Sequence, residues 1–187
     1  MTSRSSILST ADVRRPMVAA AALVQFARGG YHGTTVADVA REAKISSAYV
    51  FKLYARKEAL FVAALETCFD RIVDALTVGA DAAADSSPTA VLESMGDAYA
   101  DLIRDRTLLM LQVHAQSVAD IPEIGGALRA GIARVTDFAQ QRSGGADDEV
   151  QHFMAYGQLC HLLVTARIDE VPASWARILT RGIRHPD

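Results

Sequence analysis

Short polar, aromatic and cationic side chains cluster around residue 50, in a pattern that suits recognition of a polyanion. The candidate contacts are Thr35, Ser46, Ser47, Ala48, Tyr49, Lys52 and Lys57. Such groups on the first turns of an exposed helix can reach base edges and phosphates in the major groove of DNA. We expect Lys52 and Lys57 to contact phosphates, with Thr35 donating a further bond. Tyr49 is expected to meet a base edge, a thymine methyl or a phosphate.

Two short helices and a turn must position these side chains. Thr35 and Asp38 form a capping-box pair, and the apolar residues within 36–43 recur at helical spacing. After a short break, Ser46 is the predicted N-cap of a second helix over residues 47–54. Two short helices joined by such a turn form the helix-turn-helix pattern, whose second helix can enter the major groove.

The surrounding residues match a known family at fixed spacing. They are Phe26-Ala27-Arg28-Gly29-Gly30-Tyr31, Thr34-Thr35-Val36, Val39-Ala40, Ile45-Ser46, Val50-Phe51, Tyr54, Lys57-Glu58 and Leu60. With them the N-terminal third of the chain resembles the DNA-binding domain of the TetR/AcrR family of bacterial transcriptional repressors. The resemblance implies a homodimeric, ligand-responsive repressor, with an activator of the same architecture as the alternative. It also makes Lys57 a phosphate contact.

Three positions depart from the usual pattern of that family. Lys44 stands where a turn glycine is common, so we expect a strained or differently shaped turn. Ala48 replaces a frequent glycine, which would hold the second helix slightly farther from the DNA. Ala37 stands where some relatives carry a base-reading arginine, so the first helix of the motif is expected to read sequence poorly.

Charge is unevenly distributed along the 187 residues, whose net charge is −3. Residues 1–57 hold nine basic and three acidic residues, whereas residues 58–187 hold ten basic and nineteen acidic residues. A basic head (residues 1–57) on an acidic body (residues 58–187) indicates that only the head meets a polyanion. We therefore predict a helix-turn-helix domain over residues 1–57 and a helical ligand-binding and dimerisation domain over residues 58–187.

The whole chain is predicted to be all-α, because proline is sparse and no strand-like alternation stands out. The first helix is expected to start near residues 12–15, with Pro16 in its first turn and Gly29-Gly30 at its end. A long helix should follow from Arg56-Lys57-Glu58, and breaks are expected at residues 79–87 and 143–146. Between these breaks, one apolar stripe is expected to face inward: Leu128, Ile132, Val135 and Phe138.

Side chains of the body could enclose an apolar cavity with a few polar tips, as ligand sites do. The candidates are Met95, Tyr99, Met110, His114, Phe138 and Tyr156. Plain core packing is the alternative role for each of them, including a hydrogen-bonded core position for His114. An unidentified small-molecule effector is the expected partner of this cavity.

The helix that begins at Asp147 is apolar nearly all round, which requires burial on two sides. One side can be the body, and the other needs a partner copy. A last amphipathic helix carries Trp175, Ile178, Leu179 and Ile183, and we predict a four-helix interface made by these two helices and their copies. The predicted interface residues are Phe153, Met154, Gly157, His161, Val164, Trp175 and Ile178.

Other classes of function find little support in the sequence. No nucleophile elbow, phosphate loop or paired-carboxylate motif occurs, which argues against an enzyme. The five histidines lack the spacing of three or four residues that a helical metal site needs, so no metal or other cofactor is expected.

With no membrane span or signal-peptide core, a cytoplasmic protein is expected. A helical adaptor that binds protein and not DNA stays open, and salt-dependent binding to random DNA separates the two.

Overall fold

A computed structural model describes residues 10–182 of the chain, apart from the side chain of Thr10. Ile183, predicted to continue the last apolar stripe, lies outside these residues. The regular elements of this range are all helices and it contains no strand, which confirms the predicted all-α fold. Its elements are α1 Thr10–Gly33, α2 Val36–Glu42, α3 Ser47–Leu53, α4 Lys57–Asp81, α5 Pro88–Leu102, α6 Thr107–Ser117, α7 Pro122–Ser143, α8 Asp147–Ala166, a 3-10 turn Ile168–Glu170 and α9 Ser174–Thr180.

Helix α1 is broken where the glycine pair predicts its end. Gly30 has φ 66°, in the left-handed region that favours glycine, and one further turn follows it to Gly33. The helix begins earlier than expected, so Pro16 lies inside it and not in its first turn. The backbone at Gly30 closely approaches α6, since a Cβ there would lie 2.9 Å from Nδ1 of His114.

Helix α4 is the central element of the fold. Its buried face packs against α1, α5 and α7 in one hydrophobic cluster that runs from the head into the body. In the head, the rings of Phe26 and Phe61 lie with centroids 4.7 Å apart, and neither side chain is exposed. The predicted stripe of α4 is buried along its length: Phe61, Leu65, Cys68, Ile72 and Leu76.

Two details of the body differ from the sequence prediction. Helix α4 continues through Gly79 to Asp81. Gly79 allows α5 to cross closely, and Ser94 Oγ of α5 donates to the Gly79 carbonyl oxygen at 2.7 Å. Ile132, expected to face inward, is 41% exposed. Val135 is buried as predicted, but one turn earlier α7 turns Gly131 toward the interior, where it faces the ring of Phe69.

No helix in the range 10–182 is long and apolar enough to cross a bilayer.

Gly79→Ala is expected to lower the free energy of unfolding by about 1–3 kcal/mol. The new methyl group would lie 2.6 Å from Ser94 O and 2.8 Å from Met95 Cα, both backbone atoms that cannot move aside cheaply. The matched control is Gly126→Ala in α7, where the added Cβ meets no atom within 4 Å. That change should stabilise the protein by about 0.5–1 kcal/mol through helix propensity. Urea unfolding of both variants measures the difference, and equal effects would contradict the close crossing of α4 and α5.

Candidate nucleic-acid interface and ligand cavity

The capping box predicted at the start of α2 is present. Thr35 Oγ1 accepts from the Asp38 backbone N–H at 3.2 Å, and the Thr35 N–H donates to Asp38 Oδ2 at 2.8 Å. The Thr35 hydroxyl also donates to that carboxylate at 2.6 Å, and these bonds hold the pKa of Asp38 below its usual value. Because the hydroxyl proton is committed to Asp38, Thr35 could donate to a phosphate only by breaking this bond. The structure therefore places Thr35 as a cap and not as a ready phosphate donor.

The turn between α2 and α3 has the unusual shape expected from Lys44. This residue has φ 55°, a left-handed conformation that costs roughly 1–2 kcal/mol in a non-glycine residue. The Ile45 N–H closes the turn by donating to Ala40 O at 3.0 Å. Lys44 is exposed, so the strained turn presents a positive charge beside α3.

Helix α3 presents a mixed polar and apolar outer face. Ser46 caps it, with Oγ accepting from the Tyr49 N–H at 3.2 Å. Ala48 and Lys52 are exposed, whereas Ser47 and Tyr49 are half-buried. The ring of Tyr49 packs on the hydrophobic cluster, so this side chain lies at the edge of the outer face and not at its centre.

Phe51 is a surface residue that the predicted contact set missed. Its side chain is 50% exposed, three residues after Ala48 and next to Lys52. The signal was present in the sequence, because helical spacing places residues 48, 51 and 52 on one face. An exposed ring there can make apolar contact with a thymine methyl group.

Helix α1 fixes the orientation of α3 through Arg15. Its guanidinium donates to Leu53 O at 2.5 Å and lies 5.4 Å from the centroid of the Tyr54 ring. The Tyr54 hydroxyl donates back to Arg15 O at 3.1 Å. The carboxyl end of α3 is therefore attached to α1 by two hydrogen bonds.

The cations at the start of α4 have partners within the chain. Lys57 Nζ lies 4.6 Å from the centroid of the Tyr31 ring, and burial lowers the pKa of this lysine. The Tyr31 hydroxyl donates to Glu58 Oε1 at 2.6 Å; burial and this bond raise the pKa of Tyr31 to about 12. Arg56 pairs with Glu123 of α7 at 3.1 Å. The start of α4 is thus a junction between head and body as well as a candidate phosphate contact.

A cavity of about 690 Å³ opens between α5 and α8, with α4 and α7 as its floor. Of the six predicted ligand residues, Tyr99 and Tyr156 line it. The other four, Met95, Met110, His114 and Phe138, do not. Three residues predicted for the dimer interface line the cavity instead: Phe153, Met154 and Gly157.

Core packing explains why the four side chains lie elsewhere. Met95 is fully buried in the central cluster, against which Met110 and Phe138 also pack. His114 sits against the backbone of Gly30, and its buried Nε2 has no hydrogen-bond partner within the described part of the chain. Plain core packing therefore describes Met95, Met110 and Phe138 better than a ligand contact does, whereas the hydrogen-bonded core position weighed for His114 is not found at its Nε2.

The polar groups of the cavity come mainly from α5 and α8. Burial raises the pKa of Tyr99, and Gln112 of α6 lines the cavity beside it. The remaining polar lining residues are Thr89, Glu93, Asp97, Glu149, His152 and Tyr156. The hydroxyl of Tyr156 donates to Gly182 O at 2.8 Å, which attaches the end of the described chain to α8.

The predicted dimer residues divide into buried and exposed groups. His161 is only 4% exposed, and its Nε2 lies 3.1 Å from Leu109 O, so it is enclosed by its own chain and is not available to a partner. Burial also lowers the pKa of His161. Val164 packs beside Ile103 and Leu109. Trp175 and Ile178, by contrast, are 51% and 74% exposed.

The chain is similar to known proteins in two ways: its N-terminal helices match a family, and its overall fold matches solved structures. Residues 18–64 match the family described as bacterial regulatory proteins, tetR family. No curated protein matches the chain. Solved structures with related folds cover nearly all of it.

A TetR-family transcriptional regulator from Agrobacterium tumefaciens superposes with a TM-score of 0.69 at 15% identity, over 92% of this chain and 96% of that one. A TetR-like transcriptional regulator from Rhodococcus sp. RHA1 has a TM-score of 0.64 at 20% identity, over 92% and 93%. The fatty acid degradation regulator FadR from Bacillus halodurans has a TM-score of 0.61 at 17% identity, over 92% and 97%. At these identities the superpositions establish the shared fold.

Lys44→Gly is expected to raise the free energy of unfolding by about 0.5–1 kcal/mol, because glycine adopts the left-handed turn without strain. The control is Lys44→Ala, which removes the same charge but keeps the Cβ that causes the strain. Urea unfolding at one ionic strength compares the two variants. Stabilisation of equal size by alanine would mean that charge, and not backbone conformation, sets the effect.

Proposed function

We propose that this chain is a homodimeric repressor of the tetR type, released from a palindromic DNA operator by a small molecule. The match of residues 18–64 to the tetR family of bacterial regulatory proteins supports this proposal. The observation that carries the proposal is the outer face of α3, where Ala48, Phe51 and Lys52 are exposed on a capped and anchored helix. A regulator of this kind would meet its operator in the cytoplasm.

The dimensions and charge of the head suit the major groove. Helix α3 has seven residues and is about 10 Å long. An α-helix with its side chains is roughly 10–12 Å in diameter, which fits a groove about 12 Å wide. Lys52 on its outer face and Lys44 in the preceding turn would neutralise phosphates on either side. Phe51, with Tyr49 at the edge of the same face, supplies contacts that can distinguish base pairs.

Lys52→Ala and Phe51→Ala are expected to affect DNA binding differently. The lysine variant should bind all sequences more weakly and lower the slope of log affinity against log salt by about one. Lys57→Ala should act in the same uniform way, with a smaller effect because its ammonium already lies over Tyr31. Phe51→Ala and Tyr49→Ala should change which sequences are preferred. Sequencing of DNA selected by each purified variant, followed by salt titration on the selected site, measures both effects.

The matched control is Arg129→Ala, which removes an exposed cation from the body. It should leave affinity and salt slope unchanged. A flat salt response of the unmodified protein on random DNA would contradict the proposal and favour an adaptor that binds another protein.

The exposed apolar residues of the last two helices support a dimer. Leu162 of α8 and Trp175 and Ile178 of α9 are each at least half exposed in a single chain. A partner copy would remove this apolar area from water at roughly 25 cal/mol per Å². A two-fold axis would then present two α3 helices to half-sites one or more helical turns apart, which requires a palindrome.

Ile178→Asp is therefore expected to convert the dimer to a monomer and to weaken operator binding by at least about ten-fold. A charge buried at such an interface has no compensating partner. Val78→Asp is the control, because Val78 is also highly exposed but lies on α4. Sedimentation at micromolar concentration measures the mass. A single-chain mass for the unmodified protein would contradict the dimer.

Two helices can transmit occupancy of the cavity to the head. Helix α4 lines the cavity with Phe69, Ile72 and Leu76, and its first residues contact Tyr31 of α1. Helix α6 lines the cavity with Gln112, and His114 of the same helix packs on the backbone of Gly30. A ligand that favours one position of these helices would thereby shift the population of head spacings.

A further inference from the structure

Lysine is confined to the head of this protein. The chain has three lysines, Lys44, Lys52 and Lys57, and the ten basic residues of the body are all arginine. A guanidinium stays protonated in proteins, whereas the amine of a lysine can lose its proton and act as a nucleophile. Every lysine amine of the chain therefore lies in the part that is proposed to face DNA.

Lys57 differs from the other two lysines in its surroundings. Lys44 and Lys52 are exposed, whereas Lys57 is partly buried at the first position of α4. Its Nζ lies 4.6 Å from the centroid of the Tyr31 ring. Within the described part of the chain, no carboxylate lies close enough to hold this amine in a salt bridge.

This position favours the uncharged form of the amine. Burial lowers the pKa of Lys57, and the neighbouring Glu58 carboxylate opposes this with a smaller effect. The uncharged amine is the form that attacks a carbonyl carbon, so partial burial makes Lys57 the stronger candidate for reaction with an acyl donor.

The charge of the head favours an anionic donor. Residues 1–57 carry nine basic and three acidic residues, so the head attracts small anions as well as DNA. Next to Lys57, the side chain of Arg56 is 65% exposed and adds to this positive surface. An acyl phosphate suits such a surface, because its leaving group carries negative charge.

We propose that Lys57 is an acylation site for acyl phosphates, and that acylation there weakens DNA binding. The uncharged Nζ attacks the carbonyl carbon of the donor, a C–N bond forms, and the C–O bond to phosphate breaks. Inorganic phosphate leaves with the electron pair of that bond, and the proton lost from the nitrogen passes to solvent. The product is an uncharged amide. The effect on DNA rests on the proposed function, whereas the reaction itself does not.

An acylated Lys57 can no longer neutralise a DNA phosphate. The slope of log affinity against log salt should therefore fall by about one. The Glu58 carboxylate, which interacts electrostatically with the Lys57 charge, would also face the phosphate without that cation. We expect these two effects to lower operator affinity at least about three-fold at moderate salt.

Acetyl phosphate tests the site on the full-length protein without DNA. Peptide mapping by mass spectrometry follows each lysine over time at mildly alkaline pH. Lys57 should be acetylated at least about three-fold faster than Lys44 or Lys52. In urea-unfolded protein the three rates should be similar, because the preference depends on burial beside Tyr31. Equal or slower reaction of Lys57 in the folded protein, or the same preference after unfolding, would overturn the site.

p-Nitrophenyl acetate, an uncharged acyl donor, tests the preference for an anion. Raising the salt from about 50 to about 500 mM should slow acetylation of Lys57 by acetyl phosphate at least about three-fold. The same change should leave the rate with the uncharged ester nearly constant. An equal response to salt with both donors would overturn the selection of an anionic donor.

Lys57→Arg separates acylation from charge, because arginine keeps the positive charge and is not acylated under these conditions. Lys44→Arg is the matched control, since it leaves Lys57 in place. Each protein is treated for the time that acetylates Lys57 in the unmodified chain. Fluorescence anisotropy of a labelled selected operator then compares every treated sample with its own untreated sample.

Affinity should fall at least about three-fold for the unmodified protein and for Lys44→Arg, and less than about 1.5-fold for Lys57→Arg. Equal losses in the two variants would overturn the role of Lys57. Acetylation of Lys57 that leaves operator affinity unchanged would overturn the control of DNA binding by acylation. A failure of the proposed function looks different: the untreated protein would show no salt-dependent binding to DNA, while peptide mapping would still decide the acylation site.

Discussion

The small N-terminal helices have too little apolar surface to fold around a core of their own, so they depend on packing between α1 and α4. Phe26 and Phe61 meet at the centre of that contact, with ring centroids 4.7 Å apart and no exposure to solvent. The same α4 carries Ile72 and Leu76 into the core of the body, and the hydrophobic cluster is continuous from one part to the other. Domains of limited size bury a small fraction of their surface, and a shared helix offsets this for the head. The change from a basic to an acidic segment near residue 57 therefore does not mark a break in the hydrophobic core.

Because α4 belongs to both parts, it connects the candidate nucleic-acid interface with the cavity. From Lys57 to Phe69 along α4 is about 18 Å, which is short enough for a helix to move as a rigid element. Helix α6 gives a second connection, since Gln112 lines the cavity and His114 packs on Gly30. Gly30 is also where α1 breaks, with φ 66°. The His114 contact from α6 therefore falls at the break in α1, a few residues before α2 begins at Val36.

The sequence predicted those features that are determined locally. The caps at Thr35 and Ser46 set the starts of α2 and α3 through contacts within four residues, and Lys44 marked the unusual turn for the same reason. The cavity was less predictable, because an apolar stripe identifies the inward face of a helix but not what that face meets. Met95 and Tyr99 share one such face of α5, yet Met95 packs in the core and Tyr99 lines the cavity. His161 was misplaced for a related reason: its contact with Leu109 O joins residues 52 apart in sequence.

The free energy that each contact contributes limits which contacts can couple the head to the body. Coupling between two binding sites is typically 1–3 kcal/mol. The ion pair between Arg56 and Glu123 joins head and body directly, but both side chains are largely exposed, and such pairs contribute about 0–1 kcal/mol. It is therefore too weak to carry the coupling alone. The buried contacts of α1 with α4 and α6 are close-packed, and close-packed interiors change between discrete arrangements and do not deform continuously. A ligand that repacks Phe69 at the cavity floor would act on this buried network, so under the proposed function α4 and α6 are the route by which the body could act on α3.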